Sequence, residues 1–81
     1  MKKRVITTLS GHELFNGFTA AETSDILKAR YHKPKKYFLD FIRKTRKSGF
    51  IFDYVIINNE QITFLFSENG RFKGFGISKA N

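Results

Sequence analysis

Hydrophobic and polar positions change period along this chain, and the changes mark its elements. From Arg4 to Leu9 the run Val5-Ile6-Thr7-Thr8 is β-prone and short, which predicts an edge strand. Ser10 is placed to cap a short turn of helix through His12 to Phe15, ended by Asn16-Gly17. Thr19-Ala20-Ala21-Glu22 has the pattern of a capping box. In such a box the Thr19 hydroxyl accepts from the Glu22 amide, and the Glu22 carboxylate accepts from the Thr19 amide. Ala20, Ala21, Ile26 and Leu27 follow at helical spacing, so a helix is predicted up to about Arg30. Tyr31-His32-Lys33-Pro34 interrupts the pattern. Pro34 has no amide hydrogen to leave unpaired and suits the first turn of a second helix, predicted from about Pro34 to Ser48. Phe38, Phe41, Ile42 and Thr45 repeat at spacings of three and four and form its core face. Gly49 is its stop.

Beyond Gly49 the period becomes that of strands. Phe50 to Ile57 is almost wholly apolar, and Asn58-Asn59 is a turn signal. Gln61 to Ser67 alternates, with Ile62, Phe64 and Phe66 on one face. Asn69-Gly70 favours the positive φ angles of a tight hairpin, and Arg71 to Ser78 forms the last strand. The expected fold class is therefore α+β: a short N-terminal strand, two to three helices, then a three-stranded antiparallel meander. No repeat, linker or low-complexity tract divides the chain, so residues 1–81 are expected to form a single nucleic-acid-binding-like domain.

Composition narrows the partner class. Eighty-one residues bury a modest fraction of their surface, and ten Phe with three Tyr supply much apolar area to a small core. The formal charge of +8 repels other copies and attracts polyanions such as DNA, RNA or acidic membrane. The chain has no cysteine, which excludes disulfides and thiolate metal sites, and only His12 and His32 offer imidazoles. Met1-Lys2-Lys3-Arg4 is followed by too few apolar residues for a secretory signal, and no apolar run is long enough to span a bilayer. A cytoplasmic protein is expected, without cofactor or metal.

Nine of the fifteen Lys and Arg lie between Lys28 and Lys47, a segment whose one acid is Asp40. The second predicted helix turns its apolar face to the core and its cations outward, which argues against membrane binding and for a nucleic-acid partner. Arg46 and Lys47 also complement the dipole at the helix end. From Phe18 to Phe66 the chain resembles the winged helix-turn-helix family, in the form of small bacterial and phage regulators. The likeness rests on Thr19-Ala20-Ala21-Glu22, on Arg46-Lys47-Ser48-Gly49-Phe50-Ile51, and on the hairpin around Asn58-Asn59. Two departures stand out. The turn from Lys28 to Lys33 is about four residues longer than is usual and lacks glycine, and Thr45 replaces a customary Leu.

The resemblance implies a winged-helix-like regulator of transcription, of phage or mobile-element type, whose second helix enters the major groove. Lys35, Lys36, Tyr37 and Asp40 would then face base edges, Arg43 and Arg46 would reach phosphates, and Lys33 and Lys47 would belong to the same nucleic-acid-binding surface. An acid beside phosphates costs affinity, so Asp40 is either a reader of cytosine or a helical salt-bridge partner of Lys36, Arg43 or Lys44. Two hairpins compete for the wing. The turn at Asn58, Asn59 and Glu60 is not basic, whereas Arg71 and Lys73 make the Asn69-Gly70 hairpin the better backbone contact.

Three other readings compete. Lys73-Gly74-Phe75-Gly76-Ile77 is similar to the basic-Gly-aromatic-Gly motif of RNA-recognition and cold-shock domains, with Phe75 stacking on bases. A small phage-type inhibitor of a host protein would present Tyr31, Tyr37 and Phe72 as anchors to an acidic partner. A homodimer would use the apolar strand Phe50 to Ile57 or the terminal strand edge. Catalysis is not expected: the seven acids are scattered, and no phosphate-binding glycine loop opens a helix.

Overall fold

The capping box forms as its residues dictate. In the computed structural model, which describes residues 3–80, the Thr19 hydroxyl accepts from the Glu22 amide at 3.1 Å and the Glu22 carboxylate accepts from the Thr19 amide at 3.0 Å. Met1, Lys2 and Asn81, at the two ends of the sequence, lie outside the described residues. The box opens helix α1 (Ala20–Tyr31), and Lys3 pairs with the same Glu22 carboxylate. Leu27 and Tyr31 are the large side chains that α1 buries.

Helix α1 ends one residue later than its periodicity predicts. His32 takes the left-handed conformation (φ 57°) and donates its amide to the Lys28 carbonyl, a closure usually left to glycine. Pro34 then stands at the N-cap of α2 (Lys35–Ser48). The connection is therefore the three residues His32, Lys33 and Pro34, not the long turn expected from Lys28 to Lys33. Phe38, Ile42 and Thr45 are buried on α2, with Phe41 packed against the same core, as their spacing predicts. The Thr45 hydroxyl donates to the Phe41 carbonyl and to Asp53, so this polar core residue is satisfied.

The N-terminal region departs from expectation. The stretch from His12 to Phe15 is not helical. Strand β1 (Arg4–Thr7) turns at residues 8–11 and returns as β2 (Glu13–Asn16), an antiparallel hairpin. The reason is tertiary: Phe15 is drawn into the core and pairs with Phe75 across strands, which a single helical turn would not allow. Two helices are present among the described residues, so the third one that the pattern permitted is replaced by strand.

The meander follows the alternation in the sequence: β3 (Phe52–Ile57), β4 (Glu60–Phe66) and β5 (Phe72–Lys79). Asn58 and Asn59 both hold positive φ (52° and 64°) in the β3–β4 turn, and Gly70 does so in the β4–β5 turn (84°). All pairings are antiparallel, and the strand order is β1-β2-β5-β4-β3. The result is α+β: a hairpin, two helices and a meander sharing one five-stranded sheet. Ile62, Phe64, Phe66, Phe75 and Ile77 on one sheet face meet Leu27, Tyr31, Phe38 and Ile42 of the helices to make the core.

Candidate nucleic-acid interface

Because α2 turns Phe38, Phe41, Ile42 and Thr45 to the core, its charged positions are left facing outward. Lys36, Tyr37, Asp40, Arg43, Lys44, Arg46 and Lys47 are exposed on it, and Lys35 is half-buried at its start. The expected site residues of this helix are thus brought together on one surface. Lys44 was not among them. It sits one helical turn beyond Asp40 and shares a shallow depression with Asp40, Arg43 and Lys47, a neighbourhood that the spacing alone contains.

Several of these charges are already partnered. Lys35 pairs with Asp25 of α1 at 3.1 Å, bracing the turn between the helices. Asp40 accepts from Arg43 at 3.3 Å, which is the helical salt bridge its position allows. The Lys33 ammonium lies over the Tyr37 ring at 5.1 Å, so these two form one unit at the start of α2. Among the described residues, Lys36, Lys44, Arg46 and Lys47 make no ion pair within the chain. Their charge is available to a polyanion.

The two hairpins stand at different places relative to this face. The turn at Asn58 and Asn59 belongs with the end of α1: the neighbouring Glu60 accepts from the Tyr31 hydroxyl at 2.9 Å and from Arg30 at 3.3 Å. The β4–β5 turn lies beside the end of α2, where a Cβ on Gly70 would sit 3.9 Å from the Arg46 side chain. That turn is held by Ser67, whose hydroxyl accepts from the Arg71 amide and pairs with Asn69. Arg71 and Lys73 are exposed on the same hairpin. The basic hairpin is thus the one adjoining the basic helix.

Tyr31 is a structural residue. It is 5% exposed and cannot serve as a surface anchor, contrary to the expectation for a protein-binding reading. Burial, reinforced by its bond to the Glu60 carboxylate, pushes the phenol up to about 12. Arg30 bridges Glu60 and Glu13 (3.1 Å), so this polar cluster ties α1 to β2 and β4. Phe72 is half-buried against Phe66 and Phe64, and only Tyr37 of the three expected anchors is exposed.

Phe75 also corrects an expectation. The basic-Gly-aromatic-Gly segment lies on β5 as predicted, but the Phe75 ring is fully buried against Phe15 and points to the helices. It is not available to stack on a base. The exposed aromatic side chains of the sheet are instead Phe52 and Tyr54 on the edge strand β3.

No helix among the described residues is long and apolar enough to cross a membrane, and no three His, Cys, Asp or Glu side chains among them gather as a metal site would need. No family model, no curated protein and no solved structure matches the chain. The basic face must be read from its own geometry.

Proposed function

We propose that this chain is a small basic DNA-binding protein, a transcriptional regulator of phage or mobile-element type, which lays α2 in the major groove of duplex DNA. One observation carries the reading: α2 is an amphipathic helix whose outward face holds Lys36, Lys44, Arg46 and Lys47 without internal partners. A three-residue connection between α1 and α2 supports it, because helix-turn-helix units join their helices through turns of that length. His32 supplies the left-handed residue for which such turns often use glycine.

The finer, winged-helix-like description rests on the same helix pair and on the β4–β5 hairpin beside it. In this arrangement Lys35, Lys36, Tyr37 and Asp40 approach base edges at the N-terminal end of α2. Arg43, Arg46 and Lys47 reach phosphates, and Arg71 and Lys73 on the hairpin extend the contact along the backbone. The N-terminal hairpin and the five-stranded sheet beneath the helices are this chain's own departure from the family's pattern.

Binding to random duplex DNA, single-stranded DNA and RNA across a salt series tests the proposal. Duplex preference is expected, with affinity falling on the order of a thousandfold between 50 and 200 mM salt for about six phosphate contacts. Arg46→Ala with Lys47→Ala should flatten that slope by about two contacts. Weak binding of equal strength to all three nucleic acids overturns the reading.

A further inference from the structure

The helices cover one face of the sheet and leave the other bare. Register fixes what stands on the bare face. Phe52, Tyr54 and Ile56 alternate along β3, and their partners on β4 are Leu65, Thr63 and Gln61. Next in line on β5 come Gly74, Gly76 and Ser78. None of these positions carries a charge. An antiparallel sheet with one solvated face ordinarily shows polar side chains there. Here the edge strand presents Phe52, Tyr54 and Ile56, which are 55%, 49% and 55% exposed.

The bare face has relief as well as chemistry. Strand β3 is a ridge of large side chains. Strand β5 has no side chain at positions 74 and 76, and a shallow groove of about 300 Å³ lies over Gly76, bordered by Leu14, Thr63 and Leu65 and reaching His12 and Glu13. Ridge and groove are two strands apart, about 10 Å. Gly74 cannot be otherwise, because a Cβ there would stand 2.1 Å from the Phe15 carbonyl oxygen and φ is 144°. A Cβ at Gly76 meets only ordinary contacts, the Glu13 carbonyl at 3.5 Å and Leu14 at 3.9 Å. The monomer does not need that position empty.

We propose that two copies of this chain pack bare face to bare face, about a two-fold axis running along β4. Such an axis exchanges the strands on either side of β4. The β3 ridge of each copy then meets β5 of the other, with Phe52 opposite Gly74 and Tyr54 over the groove at Gly76. Two sheets meeting this way lie about 10 Å apart with their strands nearly aligned. A self-complementary patch is what a two-fold dimer requires.

Charge and register select this occupant. On β3, β4 and β5 the bare face carries no charge for a polyanion to meet, and Arg4 stands on it only at the opposite edge, on β1. A second copy also carries +8, and this packing keeps the two helical layers on opposite sides of the dimer. Phe52, Tyr54 and Ile56, each about half exposed, supply the apolar centre that such an interface needs. The inference is independent of what the basic face binds.

Sedimentation equilibrium of the full chain between about 1 and 100 μM tests it. The expected mass is twice 9.4 kDa. Added salt should favour the dimer by screening like charges, opposite to its effect on nucleic-acid binding. Gly76→Val fills the groove and Tyr54→Lys charges the ridge. Each should weaken association at least tenfold while the circular dichroism spectrum and a cooperative unfolding transition are kept. Tyr54 is half-exposed at the sheet edge, so Tyr54→Lys carries the test alone if Gly76→Val unfolds. Lys36→Glu with Lys44→Glu on α2 should leave the mass doubled. A mass of 9.4 kDa throughout, or a dimer that a folded Tyr54→Lys variant leaves intact, overturns the proposal. A monomer whose Tyr54→Lys variant loses single-strand or foreign-protein binding overturns it too, by assigning the face to another occupant.

Discussion

The rings of Phe15 and Phe75 stack with centroids 4.4 Å apart and an interplanar angle of 4°, across a register in which the two residues are direct partners. Phe18 closes on both edge-on, at 5.7 and 6.4 Å. This cluster joins the N-terminal hairpin to the central strand, and it is why the glycine-flanked aromatic of β5 is core. Phe75→Ala should therefore cost about 3–5 kcal/mol of stability, the usual range for truncating a buried Phe. Denaturant unfolding measures this directly. A variant that keeps its stability but loses single-strand affinity would return the β5 segment to a base-stacking role.

Much of the architecture can be read in the sequence because its signals are local. The capping box at Thr19 and Glu22, the paired asparagines at 58 and 59, and the alternation of Ile62, Phe64 and Phe66 each specify structure within a few residues. Strand β2 could not be read so. Its four residues are too few to show a period, and what makes it a strand is Phe15 meeting a partner far along the chain. The length of the turn at His32 was hidden for a similar reason, since nothing in its side chain announces a left-handed residue. The basic face of α2 was legible as composition and spacing. Which of its cations are engaged was not: the Lys35–Asp25 pair crosses between helices, and only the packed helix pair creates it.

The cap also sets a pH dependence at the acidic end. The Lys3 ammonium and the Thr19 amide, both bound to the Glu22 carboxylate, hold it below its ordinary value of 4.5. A depressed carboxyl stabilises the fold above its unfolded pKa and loses that contribution as pH falls through the folded one. Stability should therefore decline below about pH 4.5, and Glu22→Gln should reduce the decline. Thr19→Ala removes the other half of the box and should cost about 1 kcal/mol. Thermal unfolding of the two variants at neutral and acidic pH checks both statements.

At the alkaline end the Tyr31 phenol governs. Its pKa is raised to about 12, so its contribution is complete below the unfolded value near 10 and is lost as pH climbs towards 12. Lysines titrate in the same window, so the comparison must be with Tyr31→Phe. The wild type should lose stability more steeply than the variant between about pH 10 and 12, as ionisation removes the proton donated to Glu60. Equal slopes would mean that the Tyr31–Glu60 bond contributes nothing to folding.

Asp40 is the sharpest probe of how α2 is used. Its carboxylate is exposed, it pairs with Arg43 at 3.3 Å, and it shares a depression with Lys44 and Lys47. If this face meets only phosphates, the acid repels the backbone and also occupies Arg43. Asp40→Asn should then tighten duplex binding several-fold at low salt, with the gain shrinking as salt screens the field. It should also steepen the salt slope by about one contact, because Arg43 is freed to neutralise a phosphate. If Asp40 instead accepts from a cytosine amino group, the same substitution should leave random-sequence affinity little changed. It should then erase discrimination at one base pair of a selected site, worth about 1–3 kcal/mol. Titrating both proteins against random and selected duplexes across the salt series separates a sequence reader from a helix that only grips the backbone.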